Sequence, residues 1–328
     1  NVGQELDEAL RALNTKVDSA RLLRQATEPS SPSGPTRNVL GLAGLIFGLV
    51  GGVVLAIVLD RLDSTARDER SVSLALGSGV LAQVPRLPIN ARSGKASLIM
   101  LSTAKSGRVQ QARESYRRLR SSAQFIASNQ AEGGRGLVLM LTSAFPGEGK
   151  SVTSANLAVA LAQSGSRVVL VNADMRRPSL EAMFGIENTS GLSLFLGGVA
   201  DHSLDGLGAV EVDGVPDLWL IPSGPTPANP AELLNSPRFK SIIGELEQSV
   251  DFVIVDCPPV LSASDPLTVA PHVDGVIVVV DSRRTETDDL LEVRSNLENT
   301  GSKVVGAVLN RDGRRRGRWW QKDRYTYS

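Results

Sequence analysis

Leu137-Val-Leu-Met-Leu-Thr-Ser-Ala-Phe-Pro-Gly-Glu-Gly-Lys-Ser151 passes from an unbroken apolar run into a glycine-rich turn, and residues 152–162 follow with helix-forming side chains and no charge. The apolar run suits a buried parallel strand, and Pro146 with its flanking glycines ends it. The stretch therefore predicts strand, phosphate loop and helix. Backbone N–H groups of such a loop face a polyphosphate, a lysine reaches the β- and γ-phosphates, and a hydroxyl ligates Mg²⁺. Pro146, Gly147, Glu148, Gly149, Lys150, Ser151 and Val152 are the expected cradle for ATP or ADP. The pattern GxxxxGK[ST] is met except that Ala144 stands at the first glycine, a small-for-small exchange. A turn that binds nothing is the plain alternative, and the agreement of motif with context weighs against it.

Composition narrows the chemistry. Lys plus Arg and Asp plus Glu number 35 each in 328 residues, so net charge offers no argument for nucleic acid. One cysteine, Cys257, forbids an intramolecular disulfide, and two histidines make a Cys/His metal site or a triad hydrolase hard to build. Tyr116, Tyr325 and Tyr327 are the only tyrosines.

Upstream, Leu6, Leu10, Leu13, Val17, Ala20 and Leu23 recur at steps of three and four, a helical stripe that needs a partner. The chain starts without an initiator methionine or signal peptide, which predicts a fragment lacking upstream partners. Pro29, Pro32 and Pro35 follow at every third residue, favouring a stiff polyproline II spacer. Val39 to Leu59 then carries no charge, and about twenty residues at about 1.5 Å each span a hydrocarbon core. Its five glycines, with Gly44 and Gly48 in a GxxxG, suit helix packing in lipid better than a soluble helix. Arg61, Arg67 and Arg70 behind it, against Arg37 before it, favour a cytoplasmic C-terminal side, as does the need for ATP. The expected organisation is 1–27, the end of an extracytoplasmic helical region; 28–38, the spacer; 39–59, the membrane helix; 60–105, a linker containing an extended apolar piece, Val80-Leu-Ala-Gln-Val-Pro85; 106–310, the phosphate-loop domain; and 311–328, a basic tail.

After the phosphate loop, strands are expected at 167–172, 217–222, 251–256, 273–281 and 303–309, with helices at 232–249 and 285–300 between them. Right-handed crossovers make this an α/β fold with a mostly parallel sheet flanked by helices. Two strands end in acids. Phe252-Val-Ile-Val-Asp256-Cys-Pro-Pro259 places Asp256, and Val168-Val-Leu-Val-Asn-Ala-Asp-Met-Arg-Arg-Pro178 places Asn172 and Asp174, at the carboxyl edge where ligands bind in open α/β sheets. Ser151, Asp174 and Asp256 are the candidate Mg²⁺ ligands, and Lys150, Asn172, Asp174 and Asp256 the candidate catalytic set. Ahead of the loop, Arg113 to Phe125 reads as a helix with Glu114, Arg117 and Arg120 on one side, either a solvated face or a self-assembly surface.

Taken together, these motifs resemble a bacterial tyrosine kinase of the polysaccharide co-polymerase, or chain-length-determinant (Wzz/Wzc-like), type. The likeness includes the spacer, the membrane helix, Glu114-x-x-Arg117-x-x-Arg120, Pro146-Gly-Glu-Gly-Lys-Ser151 and Arg176-Arg-Pro178. It continues through Gly191-Leu-Ser-Leu-Phe-Leu-Gly197, Asn229-Pro-Ala-Glu-Leu-Leu-Asn-Ser236 and Asp256-x-Pro-Pro259. The resemblance implies a P-loop kinase facing the cytoplasm of a bacterial membrane, using ATP and Mg²⁺. It further implies a head-to-tail ring of identical subunits joined through Glu114, Arg117 and Arg120, with Tyr325 and Tyr327 phosphorylated by a neighbour. Implied partners are the inner-membrane lipid, the polysaccharide polymerase and export machinery, and a phosphotyrosine phosphatase, with no nucleic acid. Cell-division-site and partition ATPases of the MinD/ParA kind are a distant second, because their lysine five residues before the loop lysine is Phe145 here.

One position departs from the resemblance. The second Walker motif is normally Asp-x-Asp, and this chain has Asn172-Ala-Asp174. An amide accepts a hydrogen bond but serves neither as a base nor as an anionic ligand, so weakened transfer with retained ATP·Mg binding is expected, and Asn172→Asp is expected to raise activity. The alternative from another class is an assembly protein switched by nucleotide and transferring no phosphate. The tail, with Trp319 and Trp320 among basic residues, is expected to present the tyrosines and to favour anionic lipid.

Overall fold

The computed structural model describes residues 2–17, 37–62, 65–66, 68–87, 94–130, 134–199 and 204–312. The chain divides into two compact units, 1–63 and 64–328. The first contains helix α1 (Val2–Val17), whose Leu6, Leu10 and Leu13 are exposed, and helix α2 (Arg37–Leu62). Residues 37–58 of α2 are long and apolar enough to cross a membrane, with a mean hydropathy of 2.5 and every residue exposed. The helix begins within the expected spacer and ends three residues beyond Leu59, because neither Asn38 nor Asp60 breaks a helix. The proline-spaced residues 29–35, and Ala20 and Leu23 of the leucine stripe, lie outside the described residues.

In the second unit the chain runs α3 (Glu69–Leu76), β1 (Val80–Pro85), α4 (Gly107–Gln130), β2 (Leu137–Ser143), α5 (Lys150–Ala162), β3 (Val168–Asn172), α6 (Leu180–Phe184) and α7 (Leu192–Leu196). It continues through β4 (Val210–Glu211), β5 (Leu218–Ile221), α8 (Pro230–Leu234), α9 (Pro237–Ser249), β6 (Phe252–Asp256), α10 (Asp265–Val269), β7 (Gly275–Asp281), α11 (Thr287–Glu298) and β8 (Val304–Asp312). The strands join in the order β1-β8-β7-β2-β6-β3-β5-β4, parallel throughout except for the terminal β4–β5 pair. Successive side chains of a strand face opposite sides of the sheet. Accordingly Met140 joins a core with Phe239, Ile242 and Leu290 on one face, while Leu139 and Leu141 join Leu119, Leu157 and Leu161 on the other. This is why the central strands read as unbroken apolar runs: both faces are covered.

Three expectations need correction. The stretch 60–105 is not a linker throughout, since α3 packs beside α11 and β1 pairs with β8 as an edge of the sheet. The extended piece Val80–Pro85 is thus an edge strand, where a terminal proline is tolerated. The helix expected over 232–249 is two helices, because Ser236 accepts from the N–H of Phe239 as an N-cap and Pro237 opens a new first turn. Strand β8 runs past 309, so the domain extends beyond 310.

Candidate active site

Strands β2, β6 and β3 lie side by side and parallel, so their carboxyl ends meet at one edge. Across the ladders Asp256 sits level with Leu141 on one side and Asn172 on the other. Three separate apolar runs thus deliver the phosphate loop, Asn172 with Asp174, and Asp256 to one place.

The loop between β2 and α5 is clamped from behind. Asn310 at the end of β8 donates to the carbonyl of Glu148 at 2.7 Å, and Arg311 donates to the carbonyl of Gly147 at 2.7 Å while its guanidinium also pairs with Asp281. Gly149 has φ +98°, and any Cβ there would strike the Asn310 amide. Only glycine meets both conditions.

The Glu148 side chain does not line the cavity in front of the loop. Its buried carboxylate accepts from the Phe145 N–H at 2.9 Å and from the Thr285 hydroxyl, so the residue shapes the loop from its rear. Burial, only partly offset by these bonds, raises its pKa above the ordinary 4.5. A carboxyl whose folded pKa is raised contributes stability that is complete below the unfolded value and lost as pH climbs through the folded one. Glu148→Gln keeps one acceptor for Phe145 and gains a donor for Thr285. It should hold the melting free energy within about 1 kcal/mol of the parent at pH 7 and gain on the parent as pH rises from about 4.5 to 8. Thermal melts across that range check the sign, and a parallel pH dependence in both proteins rejects it.

In front of the loop, Lys150 Nζ lies 2.6 Å from Asp174 Oδ2, 3.4 Å from Asp256 Oδ2 and 3.0 Å from Ser151 Oγ. Burial disfavours the ammonium, but Asp256 and Asp174 outweigh it and raise its pKa, so Lys150 is a fixed cation. Ser154 Oγ donates to Asp256 Oδ1 at 2.9 Å, and the Arg177 N–H donates to Asp174 Oδ1 at 3.0 Å. Asp174, Asp256 and Ser151, two carboxylates and a hydroxyl around Lys150, form a hard oxygen donor set. That fits Mg²⁺, which is held through one or two carboxylates together with substrate phosphates.

A cavity of about 510 Å³ opens here, lined among others by Gly147, Lys150, Ser151, Asp174, Arg177 and Pro259. A second, of about 240 Å³, shares Gly149, Val152 and Arg311 with it and adds Arg86, Tyr116, Arg283 and Asn310. Asn172 lines neither: it is fully buried and its amide is bonded to Glu181. Arg176 makes a two-pronged pair with the buried Asp265 at 2.6 and 2.9 Å. Sequence reasoning missed Glu181, Thr285, Asn310 and Arg311 as site-shaping residues, since none belongs to a phosphate-loop pattern. The Asn310-Arg311 pair at a strand's end was the available signal.

Away from this edge, Glu114 and Arg117 are exposed on α4 with a 3.6 Å ion pair between them. Arg120 is half-buried, and its Nε has no hydrogen-bond partner among the described residues. Tyr116 is buried, and burial raises its hydroxyl pKa despite a bond to Thr153. Tyr325 and Tyr327 lie outside the described residues.

A protein-family model described as an AAA domain matches residues 140–301. The chain is 38% identical over 197 residues to tyrosine-protein kinase YwqD of Bacillus subtilis, covering 60% of this chain and 80% of that protein. It is 31% identical over 300 residues to tyrosine-protein kinase ptk of Acinetobacter johnsonii, covering 90% of this chain but only 40% of that longer relative. The kinase domain of the Escherichia coli tyrosine kinase ETK superposes with a TM-score of 0.65 at 27% identity, covering 80% of this chain and 98% of that one.

Proposed function

Because the chain belongs to the bacterial tyrosine-protein kinases, we propose that it is a membrane-anchored autokinase that transfers the γ-phosphate of ATP to its own C-terminal tyrosines. The observation that carries this reading is the convergence of Lys150, Ser151 and Asp174 in the lining of one cavity, with Asp256 buried just behind Lys150. Lys150 and the loop amides hold the β- and γ-phosphates, and the nucleoside extends toward Tyr116, Arg283 and Asn310 in the adjoining cavity. Ser151, Asp174 and Asp256 would hold Mg²⁺, which would supply positive charge against the bound phosphates. The tyrosine oxygen attacks the γ-phosphorus, the bond to ADP breaks, and the phenolic proton passes to the Asp174 carboxylate. Asn172 cannot take it. Asp174 is the carboxylate that lines the cavity, and transfer of this kind draws mainly on positioning and electrostatics.

Tyr325 and Tyr327 of a neighbouring subunit are the acceptors in this reading, and donor site and acceptor tail are different surfaces, so association is head to tail. Glu114, Arg117 and Arg120 form the contact, supported by the exposed Glu114–Arg117 pair on α4. Alanine at all three should reduce the particle to a monomer by light scattering; an unchanged mass rejects the assignment. Helix α2 anchors the assembly with the kinase on the cytoplasmic side, where it regulates surface-polysaccharide polymerisation and export and meets a phosphotyrosine phosphatase.

The test is phosphotyrosine mass spectrometry of Tyr325 and Tyr327 after incubation with ATP, against a Lys150→Met control. The occupied amide of Asn172 favours a second reading, a nucleotide-switched assembly protein without transfer. Binding of ATP with unmodified tyrosines decides for it.

A further inference from the structure

Glu181, near the start of α6, is 4% exposed, and both of its oxygens are engaged. Oε1 accepts from Asn172 Nδ2 at 2.8 Å and from the Ser223 N–H at 2.8 Å, and Oε2 accepts from Asn172 Nδ2 at 2.9 Å. The other end of the Asn172 amide is also bound: its Oδ1 accepts from the Asp174 N–H at 3.2 Å. Ser223 is itself tied to its surroundings, with Asn188 donating to its hydroxyl at 3.0 Å and Ser193 N–H donating to its carbonyl at 2.9 Å. A buried carboxylate therefore joins the end of β3, the short helix α6 and the loop after β5 through a single amide.

We propose that Asn172 and Glu181 act as one positioning unit for Asp174. The amide donates to Glu181 and accepts from the backbone of Asp174, which sets the turn that brings the Asp174 carboxylate to Lys150 and to the Mg²⁺ position. Only a side chain with both a donor and an acceptor does this beside a carboxylate. Asparagine is thus matched to Glu181, and it is not simply a defective aspartate. An aspartate at 172 has no N–H for Glu181 and would set two carboxylates face to face at hydrogen-bonding distance, where like charges repel strongly in a buried site. The turn would open and Asp174 would move. Reversing the polarity of the pair repairs it: in Asn172→Asp with Glu181→Gln, the glutamine amide donates to the new carboxylate and still accepts from Ser223. This inference rests on the Mg²⁺–nucleotide site proposed above, and it reverses the expectation that Asn172→Asp raises activity.

The experiment measures the affinity of a fluorescent ADP for the full chain in detergent, with Mg²⁺ and with EDTA, alongside melting temperature and tyrosine labelling. Asn172→Asp should lose about tenfold or more of the Mg²⁺-dependent affinity, as partners behind metal ligands commonly do. Glu181→Gln should lose less, and the double variant should return to within about threefold of the parent. Affinity in EDTA should be alike in all four proteins, which a merely structural defect would not produce. A single Asn172→Asp variant that binds Mg²⁺·ADP as tightly as the parent overturns the proposal, as does a double variant no better than Asn172→Asp alone. The binding cycle needs no acceptor tyrosine. If it behaves as expected while the parent leaves Tyr325 and Tyr327 unlabelled, the kinase reading fails and the positioning unit stands.

Discussion

Lys150→Met is expected to lower tyrosine self-labelling by about 10²–10³-fold or more, the cost of removing a fixed charge donor aimed at the transferring group. The geometry adds a second consequence. Lys150 is the cation between Asp174 and Asp256, which are 4% and 1% exposed, so methionine leaves two buried carboxylates facing one another. Removing one partner of such a pair costs about 3–5 kcal/mol. A lowered melting temperature is therefore expected with the lost activity, and loss of labelling alone would not show that Lys150 acts on phosphate. Lys150→Met combined with Asp174→Asn separates the effects: stability should return toward the parent while labelling stays absent. Labelling near the parental rate in either variant would remove Lys150 from the reaction.

The second large effect concerns the acceptor. With three tyrosines in the chain, replacing Tyr325 and Tyr327 by phenylalanine leaves only Tyr116. That residue is 1% exposed in α4, its hydroxyl engages Thr153, and its raised pKa keeps the phenol protonated. Anti-phosphotyrosine signal should fall to background, while nucleotide affinity and stability stay unchanged because both substitutions lie beyond β8. Persistent signal, which could then come only from Tyr116, would mean that α4 leaves the sheet during the reaction.

What could be read from the sequence was what lies contiguous along it. Leu137 to Ala162 holds strand, loop and helix in one run, and Asp256 and Asp174 each end an apolar strand, so parallel pairing brings them together without further information. The apolar run of α2 was legible for the same reason. The supports behind the loop were not. Asn310 contacts a residue 162 positions away and Thr285 one 137 positions away; nothing local marks Thr285, and only the polar pair ending an apolar strand hints at Asn310. Glu148 occupies a free position of the motif, so its turn to the rear of the loop depended on the Thr285 hydroxyl beyond β7. Asn172 looked like a loss because its partner, Glu181, carries no motif of its own. Strand β1 was legible as an extended apolar piece, but its place in the sheet was not, because that comes from pairing with β8.

The clamp on the phosphate loop has a thermodynamic corollary. Asn310, Arg311 and Thr285 hold the carbonyls of Gly147 and Glu148 and the carboxylate of Glu148 through bonds made within the protein itself. The loop is preorganised, and a nucleotide meets a finished mould instead of ordering a loose segment. Little of the binding free energy goes into conformational entropy, and more of it appears as affinity.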